Sequence, residues 1–157
     1  MFNPVASASA TGSALSKQTR IVVAALLLCL SASPAVHAKK CTISQANAAE
    51  DLVDHLDNWE KIAQARKRFG HCDDGSIAEG MSEAVARVLV DHWDTLPTAA
   101  KLMGQDRALK PFVIRHLNTT LNGEDMEKLQ ALASSSCRPE LKRLCADLHT
   151  AAAEALR

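Results

Sequence analysis

Apolar side chains at Leu52, Val53, Leu56, Trp59, Ile62, Ala63 and Phe69 recur at helical spacing, with acidic and basic residues filling the positions between them. That periodicity describes an amphipathic helix that buries one stripe. The spacing predicts a single long helix, opened by Ser44 as N-cap and closed at Gly70, where a residue without Cβ permits a left-handed cap. Lys67 and Arg68 would then face the negative end of the helix dipole. Ser76-Ile77-Ala78-Glu79 has the spelling of a capping box. It predicts a second helix with its buried stripe at Ile77, Met81, Ala84, Val85, Val88, Leu89 and His92, and with Glu83, Arg87 and Asp91 as a solvated ladder. Gly80 and Ala84 form a small-residue strip on which another helix can come close. A third helix runs from Pro97 to Gly104. Asp106 caps a fourth carrying Leu109, Phe112, Val113, His116 and Leu117, which Pro111 bends or delays. Asn122-Gly123 precedes a fifth helix at Met126, Leu129, Leu132 and Ala133, and Pro139 starts a sixth through Leu141, Leu144, Cys145, Leu148, Ala152 and Leu156. No alternating β-branched run occurs, so the expected fold is an all-α, compact bundle of about six helices without a sheet.

The residues before this pattern are of another kind. Lys17 and Arg20 precede the apolar run from Ile21 to Leu30, and Ser31 to Ala38 is rich in small residues. This predicts a cleaved signal peptide at residues 1–38, a single helical domain at 39–157, and delivery to the periplasm or the exterior. The apolar run is about half of the ~20 residues that cross a bilayer, so no stable membrane span is expected after cleavage. Lipid attachment at Cys29 would need a small residue where Leu28 stands. The whole chain has 18 basic and 18 acidic residues, and loss of Lys17 and Arg20 leaves the mature part slightly acidic. Aromatics are 3% and tyrosine is absent, so little is available to stack on bases or sugars, and nucleic acid is not an expected partner.

Four cysteines follow the leader: Cys41, Cys72, Cys137 and Cys145. An even number in a small exported domain predicts disulfide staples. An unbroken first helix would hold its ends about 37 Å apart, whereas a disulfide needs Cα atoms within about 7 Å. Cys41 would then be out of reach of Cys72. Cys137 and Cys145, both helical, would stand about 12 Å apart and could not pair either. Either residues before Asp51 fold back, or Cys137 lies in a loop curled towards Cys145, or one cysteine pair stays open. The pairing favoured by a straight first helix is Cys72 with Cys145 or Cys137.

The segment Gly70-His71-Cys72-Asp73-Asp74-Gly75 is the densest group of chemically capable side chains. His71, Cys72, Asp73, Asp74 and Glu79 are metal-ligand types, but their spacing matches neither a zinc site nor a calcium loop. Cys72 precedes a helix N-terminus and adjoins His71, which would favour a thiolate, yet no second motif supplies an oxyanion hole. A structural reading explains each residue: a helix cap at Gly70, a disulfide at Cys72, dipole-complementing carboxylates at Asp73 and Asp74, and a turn at Gly75. On that reading there is no catalytic residue, no metal ligand and no cofactor. His92 and His116 lie on apolar stripes and are expected to be hydrogen-bonded core residues, while His55 sits on a wet face.

The run from Phe69 to Gly80, with Asp91-His92-Trp93, Phe112-Val113-Ile114-Arg115-His116, Cys137 and Leu144-Cys145, resembles a family of uncharacterised exported helical proteins of proteobacteria over residues 59 to 148. That resemblance implies export and a helical fold, with no activity attached. In architecture alone, a small exported helical domain with disulfides is also similar to the periplasmic immunity proteins that neutralise cell-wall amidase toxins of type VI secretion. The expected role is therefore that of an interaction protein with a protein partner in the cell envelope, an inhibitor or immunity protein acting by occlusion. Its contacts are expected at the interhelical loops, through His71, Asp73, Asp74, Asn118 and Asn122. The competing expectations are a thiol- or metal-dependent enzyme built on His71, Cys72 and Asp73, and a structural envelope component.

Overall fold

The structure, a computed structural model, describes residues 39–157. The predicted leader at residues 1–38, with Cys29, lies outside the described residues. Seven α-helices follow in order: α1 (Ile43–Val53), α2 (Trp59–Phe69), α3 (Gly75–Asp91), α4 (Leu96–Gln105), α5 (Leu109–Arg115), α6 (Gly123–Ser135) and α7 (Lys142–Ala155). Short 3-10 turns at Trp93–Thr95 and Pro139–Leu141 lead into α4 and α7. No strand occurs among the described residues. The fold is all-α and disulfide-stapled, and no helix among the described residues is long and apolar enough to cross a membrane.

The extra helix comes from a break in the expected first one. Asn58 accepts the Lys61 N–H at 2.9 Å and caps α2, while its own amide donates to Asp57 at 2.8 Å. An asparagine that satisfies a free N–H of a new helix competes with continuing the old one. The apolar spacing runs straight through the break because Leu56, in the connection itself, is fully buried. Trp59, the first residue of α2, is also buried and donates its indole N–H to Thr95 at 3.0 Å. The start of α1 lies at Thr42, not Ser44, through a capping box with Gln45.

The break lets α1 turn back, and this overturns the disulfide reading. Cys41 pairs with Cys72, with Cα atoms 4.9 Å apart, and Cys137 pairs with Cys145 at 6.2 Å. Cys137 lies in the loop after α6, so the spacing of about 12 Å for two helical residues does not apply to it. Cys72 bonds to neither Cys145 nor Cys137.

Two caps also differ from expectation. Gly70 has φ −60° and ends α2 in a right-handed conformation; the left-handed residue is Gly75, with φ +53°. Asp74, not Ser76, caps α3, accepting from the Gly75 N–H at 2.9 Å. Ser76 is drawn off by α1, where its hydroxyl donates to Glu50.

Helix α3 runs through the core and buries Ile77, Met81, Ala84, Val85, Val88 and Leu89. The small strip works as expected: a Cβ on Gly80 would stand 2.7 Å from Val53 Cγ2, so α1 lies directly against α3 there. On the other side, α6 and α7 form a closely packed antiparallel pair around Met126, Leu129, Leu144 and Leu148. His92 is exposed, not a core residue, because α3 ends on it and its carbonyl accepts from Thr95. The Glu83, Arg87 and Asp91 ladder is exposed, and Asp91 reaches Lys128 on α6 at 3.5 Å.

Candidate functional site

Between α2 and α3 the chain turns at the His71–Gly75 corner, and the C-terminal end of α5 meets it from across the bundle. Asp73 enters this junction with its side chain only 4% exposed. Its Oδ2 receives the Arg115 guanidinium and lies 3.2 Å from His116 Nε2. The imidazole is itself buried, and its Nδ1 is 2.8 Å from the Ser82 hydroxyl. Asn118 donates to Ser82 at 3.2 Å and accepts the Thr120 N–H at 3.0 Å. Five side chains from a corner, two helices and a loop thus form one polar chain inside an apolar bundle.

Each position follows from local structure. Ser82 lies on the buried side of α3, where its hydroxyl contacts the Ala78 carbonyl at 2.9 Å. His116 caps α5, with its ring 4.2 Å from that of Phe112. Arg115 is held twice, by Asp73 and by the Phe112 ring 5.5 Å beneath it. The one Ser82 hydroxyl proton is directed at the Ala78 carbonyl, while its oxygen accepts from Asn118 and lies against Nδ1 of the imidazole. Nε2 makes no hydrogen bond of good geometry, although it lies 3.2 Å from the Asp73 carboxylate.

Burial pushes the Asp73 pKa upward, but the adjacent His116 ring and then the Arg115 guanidinium outweigh it and hold the carboxyl below its ordinary value. The carboxylate is therefore charged, and its Oδ1 has no hydrogen-bond partner. A buried acceptor of this kind ordinarily carries a desolvation cost unless something occupies it. A pocket of about 310 Å³ opens at this point, lined by Asp73, Glu79, Ser82, Arg115, Asn118 and Thr120.

Of the contact residues expected from sequence, Asp73 and Asn118 are brought together by this network. His71 faces α1, with Nε2 3.1 Å from Gln45. Asp74 is engaged as the cap of α3, and Asn122 caps α6 through the Glu124 N–H at 2.8 Å. Cys72 is bonded to Cys41 and carries no thiolate, which removes the nucleophile imagined at the corner. Among the described residues no group of three His, Cys, Asp or Glu side chains is placed to hold a metal ion. Sequence reading missed Ser82 and Arg115. The signal for Ser82 was a hydroxyl residue beside Met81 on a helix face otherwise apolar; Arg115 had none beyond its place next to His116.

In order of contact, Ser82, His116 and Asp73 match the serine–histidine–carboxylate relay of acyl-transfer enzymes, but with the ring nitrogens exchanged: Nδ1 faces the serine and Nε2 the carboxylate. The Ser82 residue is only 1% exposed, however, and lies within α3, whose amides are committed to the helix. What the junction presents outward is the exposed guanidinium of Arg115, with the charged Asp73 carboxylate buried behind it at the pocket wall. In comparisons with known proteins, the chain matches no family model, no curated sequence and no solved structure.

Proposed function

We propose that the chain is an exported interaction protein that binds another protein in the cell envelope and blocks it, as an inhibitor or immunity protein does a periplasmic toxin. Its contact face is the pocket where the Asp73 corner meets the Asn118–Thr120 loop. One observation carries this reading: Asp73, an ionised and buried carboxylate whose Oδ1 has no hydrogen-bond partner among the protein atoms, lines an open pocket between two loops that the network ties together. A partner donor that enters the pocket and uncovers Oδ1 by a small shift of the corner would satisfy Asp73. Two disulfides, one of them at the corner itself, suit an oxidising compartment and support export with removal of residues 1–38.

The test is affinity capture with envelope-purified protein as bait, using wild type and Asp73→Asn, followed by an activity assay on the captured partner. A partner retained by wild type, inhibited on binding and lost with Asp73→Asn supports the proposal. Absence of any partner, or one retained equally by both baits, overturns it.

The relay order of Ser82, His116 and Asp73 favours a second reading, an acyl hydrolase whose α3 shifts to admit substrate. A fluorophosphonate probe decides it: covalent label on Ser82, lost in His116→Ala, would replace the binding proposal with this one.

A further inference from the structure

Arg115 also lines a second cavity, of about 430 Å³, whose walls include Lys39, Arg66, Lys67, His71 and Phe112. Four of these side chains are permanent cations, and no acidic residue lines the cavity. The fold holds two of them in place from behind: Asp106 binds the Arg66 guanidinium at 2.7 Å, and Asp73 binds that of Arg115. Each arginine spends one donor on its carboxylate and keeps others for the cavity. Arg66 is mostly buried, with 26% of its side chain exposed. Lys39 and Lys67 have no ion-pair partner among the described residues. Lys39 stands there because the Cys41–Cys72 bond fixes the start of the described chain against the corner. The slightly acidic mature sequence therefore gathers four cations at one concave place, two of them, Lys39 and Lys67, without a compensating carboxylate.

We infer that this cavity is an anion-binding site, and that its occupant is a cluster of carboxylates on an acidic peptide segment of the protein partner. The inference rests on the binding reading given above and adds the partner's chemistry to it. Charge complementarity carries the choice of ligand: two clamped guanidiniums offer the forked donors that carboxylates accept, and two lysines add attraction at the rim. Arg115 lines both cavities, so one partner segment can place a donor at Asp73 and its acidic residues next to it.

The probe is fluorescein-labelled hexaglutamate, followed by anisotropy with protein purified from the envelope of cells expressing the full chain. Lys67→Glu is the test variant, since Lys67 is exposed on α2 and its loss leaves the core intact. Lys101→Glu, exposed on α4, makes the same charge change elsewhere. Wild type is expected to bind with an affinity that falls as salt rises; Lys67→Glu is expected to weaken it about fivefold and Lys101→Glu to leave it unchanged. No binding by wild type, or equal loss in both variants, overturns the site. Tighter binding to phosphatidylglycerol vesicles than to the peptide, through the same lysine, overturns the peptide assignment in favour of a lipid surface. Capture separates the two proposals: a partner retained by Lys67→Glu but lost with Asp73→Asn removes this cavity and keeps the binding role, whereas peptide binding without any captured partner does the reverse.

Discussion

Replacing Gly80 by alanine sets two opposed effects against each other on one atom. Alanine favours a helix interior over glycine by about 0.8–1.0 kcal/mol, so propensity alone makes Gly80→Ala stabilising. The added Cβ would stand 2.7 Å from Val53 Cγ2 and 2.8 Å from Val53 Cβ. Overpacking of a close contact costs about 1–3 kcal/mol. The upper half of that range applies here, because Val53 is β-branched and stiff at χ1, and a rotation that moves Cγ2 leaves Cβ where it was. Relief requires α1 to shift as a body, and α1 is tied down by the Cys41–Cys72 bond and by Ser76 on Glu50. The net expectation is a loss of about 1–2 kcal/mol, read as a fall in Tm of about 5 °C or more by circular dichroism at 222 nm. Val53→Ala in the Gly80→Ala background should restore much of it, giving a coupling of at least about 1 kcal/mol in urea melts. A Gly80→Ala protein more stable than wild type, or two effects that add within about 0.5 kcal/mol, would refute close packing of α1 on α3.

Further expectations concern the staples, the buried carboxylate and the break between α1 and α2. Opening the Cys41–Cys72 loop of 31 residues with paired serines should cost about 3.7 kcal/mol, against about 2.5 kcal/mol for the 8-residue Cys137–Cys145 loop. Equal losses in denaturant titration would contradict the pairing. Asp73 has a folded pKa below its ordinary 3.8, so its contribution is complete above that value and disappears as pH falls through the lower folded one. Wild type should therefore lose stability on acidification more steeply than Asp73→Asn, and parallel pH profiles would count against the ion pair with Arg115 and the contact with His116. Asn58→Ala removes the cap of α2 and should lower stability by about 1 kcal/mol, whereas an unchanged melt would argue for a continuous helix through the position.

The helical character and some punctuation were legible because they rest on local chemistry: Pro97 and Pro139 at helix entries, the Asn122-Gly123 boundary, and apolar stripes on α3, α6 and α7; the caps expected at Ser44, Ser76 and Asp106 were not, since Thr42, Asp74 and Ala108 stand there instead. The α1–α2 break was not, because Leu56 keeps the buried rhythm while the backbone turns, and only the weak helix formers around Asn58 mark the change. That local error propagated, since the distance argument for the cysteines used a rod that does not exist. At the site, His116 was legible as a hydrogen-bonded core residue, and Asp73 as a member of the corner. Their meeting was not, because 43 residues separate them and nothing local encodes which end of α5 faces which turn.

The sulfur pairing carries a consequence for biogenesis. Among the described cysteines each one bonds the next to appear along the chain, Cys41 with Cys72 and Cys137 with Cys145, so the two covalent loops neither nest nor cross. If the chain is exported N-terminus first and residues 1–38, with Cys29, are removed, each remaining cysteine meets its correct mate before a wrong one has arrived. The native pattern can then be closed by a simple oxidant acting in order of emergence, with no reshuffling enzyme required.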